Sequence, residues 1–185
     1  MTEIRCFVAV DLPEGMHEDI RRIQERIATN GLRLVRPELV HVTLKFLGDV
    51  PAEKVDRIAK ALQEVNVPPF SAQIKGMGAF TGKSIRVVWL GLEGDFSSLY
   101  QQVEQAMSSF GFEREARGFS PHLTLGRVSH PSTEMTRLLA PRIAALSDTN
   151  LGSFTVDHFA LKKSTLTRGG PIYDNLACFP LQDRD

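Results

Sequence analysis

The chain is short of several things at once, and each shortage closes off a class of explanation. Of its 185 residues only two are cysteines, Cys6 and Cys178. Both lie in apolar strand-like runs and neither belongs to a C-x-x-C pair, which argues against a disulfide framework or a thiolate zinc site and fits a reducing cytoplasm. Net charge is also missing: 22 Lys plus Arg stand against 22 Asp plus Glu. Such a chain lacks the basicity needed to hold long nucleic acid mainly by its phosphates, although a short phosphorylated ligand remains open. Long apolar runs are absent. The N-terminal one turns polar at Asp11, well short of a signal-peptide core or of the ~20 residues of a membrane span. Neither G-x-x-x-x-G-K-S/T nor G-x-G-x-x-G occurs, so no glycine-rich phosphate loop is expected. Low-complexity tracts and charge blocks are lacking too, which confines expected disorder to the termini and to residues 165–170.

What remains is 42% hydrophobic and 24% charged, the composition of an ordinary globular domain or of two small lobes. Apolar residues at helical spacing mark Met16, Ile20, Ile23 and Ile27, between Pro13 and Gly31. A second helix is predicted from Pro51, carrying Val55, Ile58, Ala59 and Leu62, and a third after Asp95, carrying Phe96, Leu99, Val103, Met107 and Phe110. A fourth is expected over residues 132–146, with Pro141 bending or splitting it. Strand-like runs fall at 4–10, 40–47, 70–76, 84–92, 122–128, 153–161 and 172–179. Helices lie between groups of strands rather than after each one, which points to an α+β arrangement with largely antiparallel sheets.

One pattern occurs twice. His41-Val42-Thr43-Leu44 and His122-Leu123-Thr124-Leu125 are two copies of His-apolar-Thr-Leu. At a strand's period of two, His41 and Thr43 project from one face, opposite Val42 and Leu44, and His122 and Thr124 project together opposite Leu123 and Leu125. Each strand thus offers one apolar face to a core and an imidazole with a hydroxyl to something else. If the two halves are pseudo-symmetric lobes, the two polar faces can meet across one cleft. Imidazole titrates near pH 6.5, so a neutral one can take a proton while a charged one gives one. The threonine hydroxyls suit the non-bridging oxygens of a phosphodiester. A single His-x-Thr would be better read as structural; two matched copies reverse that reading. Metal ligation is disfavoured because no His-x-His, His-Glu-x-x-His or carboxylate cluster accompanies them.

The paired motifs resemble those of the two-histidine phosphoesterases. Further details resemble the RNA 2′,3′-cyclic phosphodiesterase branch, also called 2′-5′ RNA ligase. These are Arg5-x-Phe7-x-Ala9-x-x-Leu12-Pro13, Val35-Arg36-Pro37-Glu38 before His41 to Gly48, Ser120-Pro121 before His122 to Arg127, and Lys163-Ser164-Thr165-Leu166 through Gly170 to Tyr173. The resemblance runs over nearly the whole chain in order. It implies one bilobal α+β domain over residues 1–185: two pseudo-symmetric lobes with largely antiparallel sheets, flanked by helices around a central groove. The implied reaction is hydrolysis of a 2′,3′-cyclic phosphate to a 2′-phosphomonoester without metal or other cofactor. His41 would be the proton donor to the leaving 3′ oxygen and His122 the base activating water. RNA ends or small cyclic nucleotides are the implied partners of a cytoplasmic monomer that does not enter membranes. Ligation of RNA ends to a 2′-5′ linkage and a non-catalytic RNA- or nucleotide-binding role are the competing readings.

Beyond the four motif residues there are further candidates. Lys45 shares the parity of His41 and Thr43 and could lie along the groove. Arg127 matches the family's phosphate-holding arginine, but counting by twos from His122 puts it on the wrong face unless Gly126 carries a bulge or the strand ends there. Phe7 is a candidate nucleobase platform, against the commoner core role. Tyr173 and the loop from Ser164 to Gly170, with Arg168, could border the groove. His17 and His130 read as surface residues and His158 as a core residue.

Overall fold

The computed structural model describes residues 2–114 and 118–182. The chain runs through β1 (Glu3–Asp11), α1 (His17–Ile27), β2 (Leu32–Leu34), β3 (His41–Pro51), α2 (Ala52–Leu62), β4 (Phe70–Thr81) and β5 (Ile85–Glu93). It continues through α3 (Phe96–Ser108), β6 (His122–Val128), α4 (Thr133–Ala144), β7 (Asn150–Val156), β8 (His158–Thr167) and β9 (Gly170–Pro180). Local chemistry accounts for several boundaries. Asp95 accepts the Ser98 backbone N–H at the start of α3, and Ser132 accepts that of Met135 at the start of α4. Gly31, past the end of α1, takes a φ of 88°, a conformation a β-carbon would disfavour.

Three expectations need correcting. The apolar run 153–161 is two strands, broken at Asp157, and not one. Of the bend or split expected at Pro141, the split does not occur: Pro141 lies in the last turn of α4, where its carbonyl still accepts the Ala145 N–H at 3.0 Å. Residues 165–170 form the tip of a paired hairpin, where Thr167 lies opposite Gly170.

Every strand pairing is antiparallel, and the strands run in the order β7-β4-β5-β6-β3-β1-β8-β9, with β2 also on β6. The two sheets of the bilobal expectation are therefore joined into one. They join where the two motif strands meet, β3 and β6, and the ladder between these consists of one pair, Val42 with Leu123. Val8, Val10, Val42 and Leu44 on one side of this junction, and Val88, Leu90, Leu123 and Leu125 on the other, are buried beneath the helices in one continuous core.

The helices cross over. α1 lies between β1 and β3 in the chain, yet its buried Gln24 donates to the carbonyls of Val35 (2.6 Å) and of Leu125 in β6 (3.0 Å). α3 lies between β5 and β6, yet its Glu104 carboxylate accepts from Lys45 of β3 at 2.6 Å. Correspondingly α1 packs against α4, and α3 against α2.

Candidate active site

The register at the centre of the sheet sets the geometry. With Val42 opposite Leu123, the antiparallel alignment puts His41 beside Thr124 and Thr43 beside His122. Val42 and Leu123 are fully buried on the helix side, so the four polar residues share the other face, and all four are partly exposed. They form a square whose diagonals are like with like, histidine to histidine and threonine to threonine. Diagonal neighbours across strands stand roughly 7–8 Å apart.

Both imidazoles are held in the same way. The Nδ1–H of His41 donates to the carbonyl of Leu39 at 2.7 Å, and that of His122 to the carbonyl of Ser120 at 2.8 Å. In each case the acceptor lies two residues upstream, and the bond leaves Nε2 as the reactive nitrogen. Nε2 of His41 lies 3.1 Å from the Thr43 hydroxyl. Burial pushes the pKa of His41 below the usual imidazole range, and the positive charges of Lys162 and Arg127 push the same way; the Leu39 carbonyl and the Asp11 carboxylate oppose them. The charge of Arg127, on β6, thus reaches a histidine on β3, and it also acts on Tyr173 of β9, whose hydroxyl pKa burial raises.

These signs yield an expected result. Replacing Arg127 by Gln removes a positive charge that disfavours the imidazolium, so the titration midpoint of His41, measured by NMR, should rise. Replacing Asp11 by Asn removes a negative charge that favours it and should lower the midpoint. Shifts of the same sign in both variants would contradict this electrostatic picture.

A bulge recurs after each motif threonine. In the β1–β3 ladder Ala9 faces Thr43 and Val8 faces Lys45, so Leu44 is the extra residue. In the β5–β6 ladder Trp89 faces Thr124 and Val88 faces Gly126, so Leu125 is the extra residue. Each bulge reverses the parity of the residues beyond it. Arg127 is thereby returned to the histidine face, where its counterpart on β3 is Phe46. Lys45 is sent the other way, which corrects its expected place along the groove: it is 3% exposed, bound to Glu104 and donating to the Glu113 carbonyl at 2.9 Å. Gly126 occupies the equivalent position, where a β-carbon would stand 3.1 Å from Leu32 and 3.2 Å from the Arg33 carbonyl.

Phe7 also needs correction as an open platform. Its ring is 3% exposed, stacked on His41 at 5.0 Å and edge-on to Tyr173 at 5.0 Å. It is a floor under His41, while the accessible ring is that of Phe46, 59% exposed and 6.2 Å from Phe7. Counting by twos conceals Phe46, because the bulge leaves no trace in the count. Tyr173 does border the groove, with its ring 5.4 Å from that of His41. Arg168 is exposed at the hairpin tip, as is His130 before Pro131, and His158 is exposed beside Asp157 rather than in the core. His17, partly buried, lines a cavity of about 220 Å³ with Asp11, Glu38, Lys162 and Tyr173. There Lys162 of β8 donates to the Asp11 carboxylate at 2.7 Å, an ion pair that the strand pattern does not announce.

Comparison with known proteins agrees with this two-copy construction. The model of the LigT-like phosphoesterase family matches residues 10–89 and 92–173, one stretch around each motif. An RNA 2′,3′-cyclic phosphodiesterase of Methanothermobacter thermautotrophicus is 39% identical over 97% of this chain and 100% of its own length. A protein of the same description from Methanocaldococcus jannaschii is 36% identical over 92% of this chain and 97% of its own. Among solved structures, TT0787 of Thermus thermophilus superimposes with a TM-score of 0.82 at 28% identity, covering 98% of this chain and 100% of that one. Escherichia coli LigT complexed with 3′-AMP gives 0.80 at 28% identity, covering 97% and 98%. By the family match and by these relatives, the chain belongs to the LigT-like phosphoesterases.

Proposed function

We propose that this protein is a single-domain enzyme, over residues 1–185, that hydrolyses 2′,3′-cyclic phosphate ends of RNA to 2′-phosphomonoesters. The observation that carries this reading is the diagonal placement of two imidazoles, each tied through Nδ1 to a backbone carbonyl, with the threonines on the other diagonal. A phosphate over the centre of that square has one Nε2 on each side of phosphorus, as an in-line displacement requires. His122 takes a proton from water as the water oxygen attacks phosphorus; the P–O3′ bond breaks, and His41 gives its proton to O3′. Thr43, Thr124 and Arg127 bind the non-bridging oxygens as charge builds on them. Tyr173 borders the bound ribose, and Phe46 offers its exposed face to the base, the role first considered for Phe7. Lys45 takes no part. The two free cysteines, one buried and one exposed, fit a reducing cytoplasm. Among the described residues, no helix is long and apolar enough to cross a membrane.

Because both proton transfers are assigned to imidazole and charge stabilisation to Thr43, Thr124 and Arg127, the reading gives no step to a metal. Turnover of a nucleoside 2′,3′-cyclic phosphate should therefore be unchanged in excess EDTA, with the 2′-phosphate as the product. Activity lost on chelation and restored by a divalent ion, or a 3′-phosphate product, would overturn it.

A further inference from the structure

The two histidines come from matching motifs and are held alike, yet one must give a proton while the other takes one. The difference between them lies in the neighbouring strands. In the β1–β3 ladder Ala9, Val10 and Asp11 face Thr43, Val42 and His41. In the β5–β6 ladder Trp89, Leu90 and Gly91 face Thr124, Leu123 and His122. The ladders correspond residue by residue, so Asp11 and Gly91 hold the same place in the two halves, each directly across from a histidine. Residues opposed in this way point to one face of a sheet, with β-carbons about 4.5–5.5 Å apart. His41 therefore has a carboxylate across from it where His122 has no side chain at all. Nor is there room for one: a β-carbon on Gly91 would come within 2.8 Å of the Lys75 carbonyl oxygen.

The surroundings of His41 call for such a group. Phe7 stacks on its ring and Tyr173 stands edge-on to it, and its bond to Leu39 is partly buried where that of His122 to Ser120 is exposed. An enclosed imidazole is hard to charge. Of the charges that act on it, Arg127 of β6 and Lys162 of β8 are positive and Asp11 is negative. Glu38, on the turn before β3, and His17 line the cavity that Asp11 shares with Lys162 and Tyr173. Because the Leu39 carbonyl takes the Nδ1–H of His41, the carboxylate acts on the ring through space. Lys162 fixes where that carboxylate lies by donating to it at 2.7 Å.

We propose that Asp11 is the positioning residue that makes His41 the acid of the pair: its carboxylate, held by Lys162, keeps a proton on His41, while the bare Gly91 leaves His122 neutral and free to act as base. The proposal rests on the reading of His41 as the proton donor to O3′. It places the division of labour between two copies of one motif at a single pair of positions outside the motif.

The test uses two substrates that differ in one atom. A nucleoside 2′,3′-cyclic phosphate needs a proton on O3′ as that oxygen departs; the cyclic phosphorothiolate with sulfur in place of O3′ releases a thiolate and needs little protonation. Asp11→Asn keeps the shape of the side chain and an oxygen for Lys162. In this variant the ratio of kcat/KM for the oxygen substrate to that for the sulfur substrate should fall about three- to tenfold at neutral pH. The NMR titration midpoint of His41 should fall with it, and that of His122 should move less. Lys162→Met removes the opposing cation and should raise the His41 midpoint without lowering the ratio. A merely structural role for Asp11 would slow both substrates alike, so the ratio separates charge from packing. A ratio unchanged in Asp11→Asn, or lowered equally in the two variants, overturns the proposal and leaves the proposed hydrolysis standing. Rescue of His122→Ala rather than His41→Ala by the sulfur substrate would instead overturn the reading on which the proposal rests, and absence of hydrolysis in the parent would overturn the proposed function itself.

Discussion

His41→Ala and His122→Ala should each lower kcat/KM for a nucleoside 2′,3′-cyclic phosphate by roughly 10²–10⁴-fold, the usual worth of a positioned proton-transfer group. The two variants should separate when the leaving group is changed. A p-nitrophenyl phosphodiester needs little protonation on departure, so it should largely rescue His41→Ala and leave His122→Ala impaired. Rescue of His122→Ala instead would reverse the two roles. Rescue of neither would leave the imidazoles as phosphate binders alone. The double variant should lose less than the product of the single losses, because an acid and a base that act in one transition state are not independent. The profile of kcat/KM against pH should be bell-shaped, since one histidine must be charged while the other is neutral. Burial and the nearby cations disfavour the charged form of His41 in the free enzyme. A bound phosphate anion works in the other direction, adding negative charge beside the imidazole and favouring the proton that His41 must deliver.

The second large effect is on stability. Lys45 and Glu104 are 2% and 3% exposed at the side chain and meet at 2.6 Å, with the second carboxylate oxygen of Glu104 unpartnered among the described residues. Lys45→Met would leave that carboxylate buried without its cation, and a loss of about 3–5 kcal/mol is expected from urea denaturation monitored by circular dichroism. Glu104→Leu should also destabilise, by stranding the ammonium with only the Glu113 carbonyl. Combining the two should recover much of the loss, because an apolar pair can replace a buried ion pair at little net cost. Single variants within about 1 kcal/mol of the parent would show that the pair carries no such energy. A double variant as unstable as the sum of the singles would show that packing, rather than charge, is at issue.

Much of the architecture is legible in the sequence because it rests on local periodicity. The apolar stripe of Ile20, Ile23 and Ile27 is the buried face of α1, and the alternation around His41 and His122 is the alternation of β3 and β6. The squared arrangement of the motif residues is not legible, since it depends on Val42 meeting Leu123, a long-range register that no local pattern encodes. The bulges mark the boundary between the two cases. At Gly126 the mismatch between position and expected role signals one in advance. At Leu44 nothing does, because Lys45 is as reasonable on a solvated face as in a buried ion pair, and so Phe46 stays hidden. Strand β2, at three residues, is too short to leave a periodic trace. Asp11 and Lys162 lie on paired strands β1 and β8 but far apart in sequence, so their contact arises from topology alone.

The exchange of α1 and α3 has a consequence for how this molecule could be divided. Each repeat of the motif carries a strand whose apolar side is covered in part by a helix from the other repeat: Gln24 reaches the backbone of Leu125, and Glu104 reaches Lys45. Severed between α2 and β4, the chain would yield two fragments, each with part of its sheet bare and one helix parted from a strand it covers. Neither piece is a miniature of the whole. A single repeat could cover its motif strand in the same way by lending a helix to a second copy and borrowing that copy's in return. Joining the two copies end to end makes that partnership permanent, and it lets each copy diverge, one placing Phe46 and the other Arg127 on the shared histidine face.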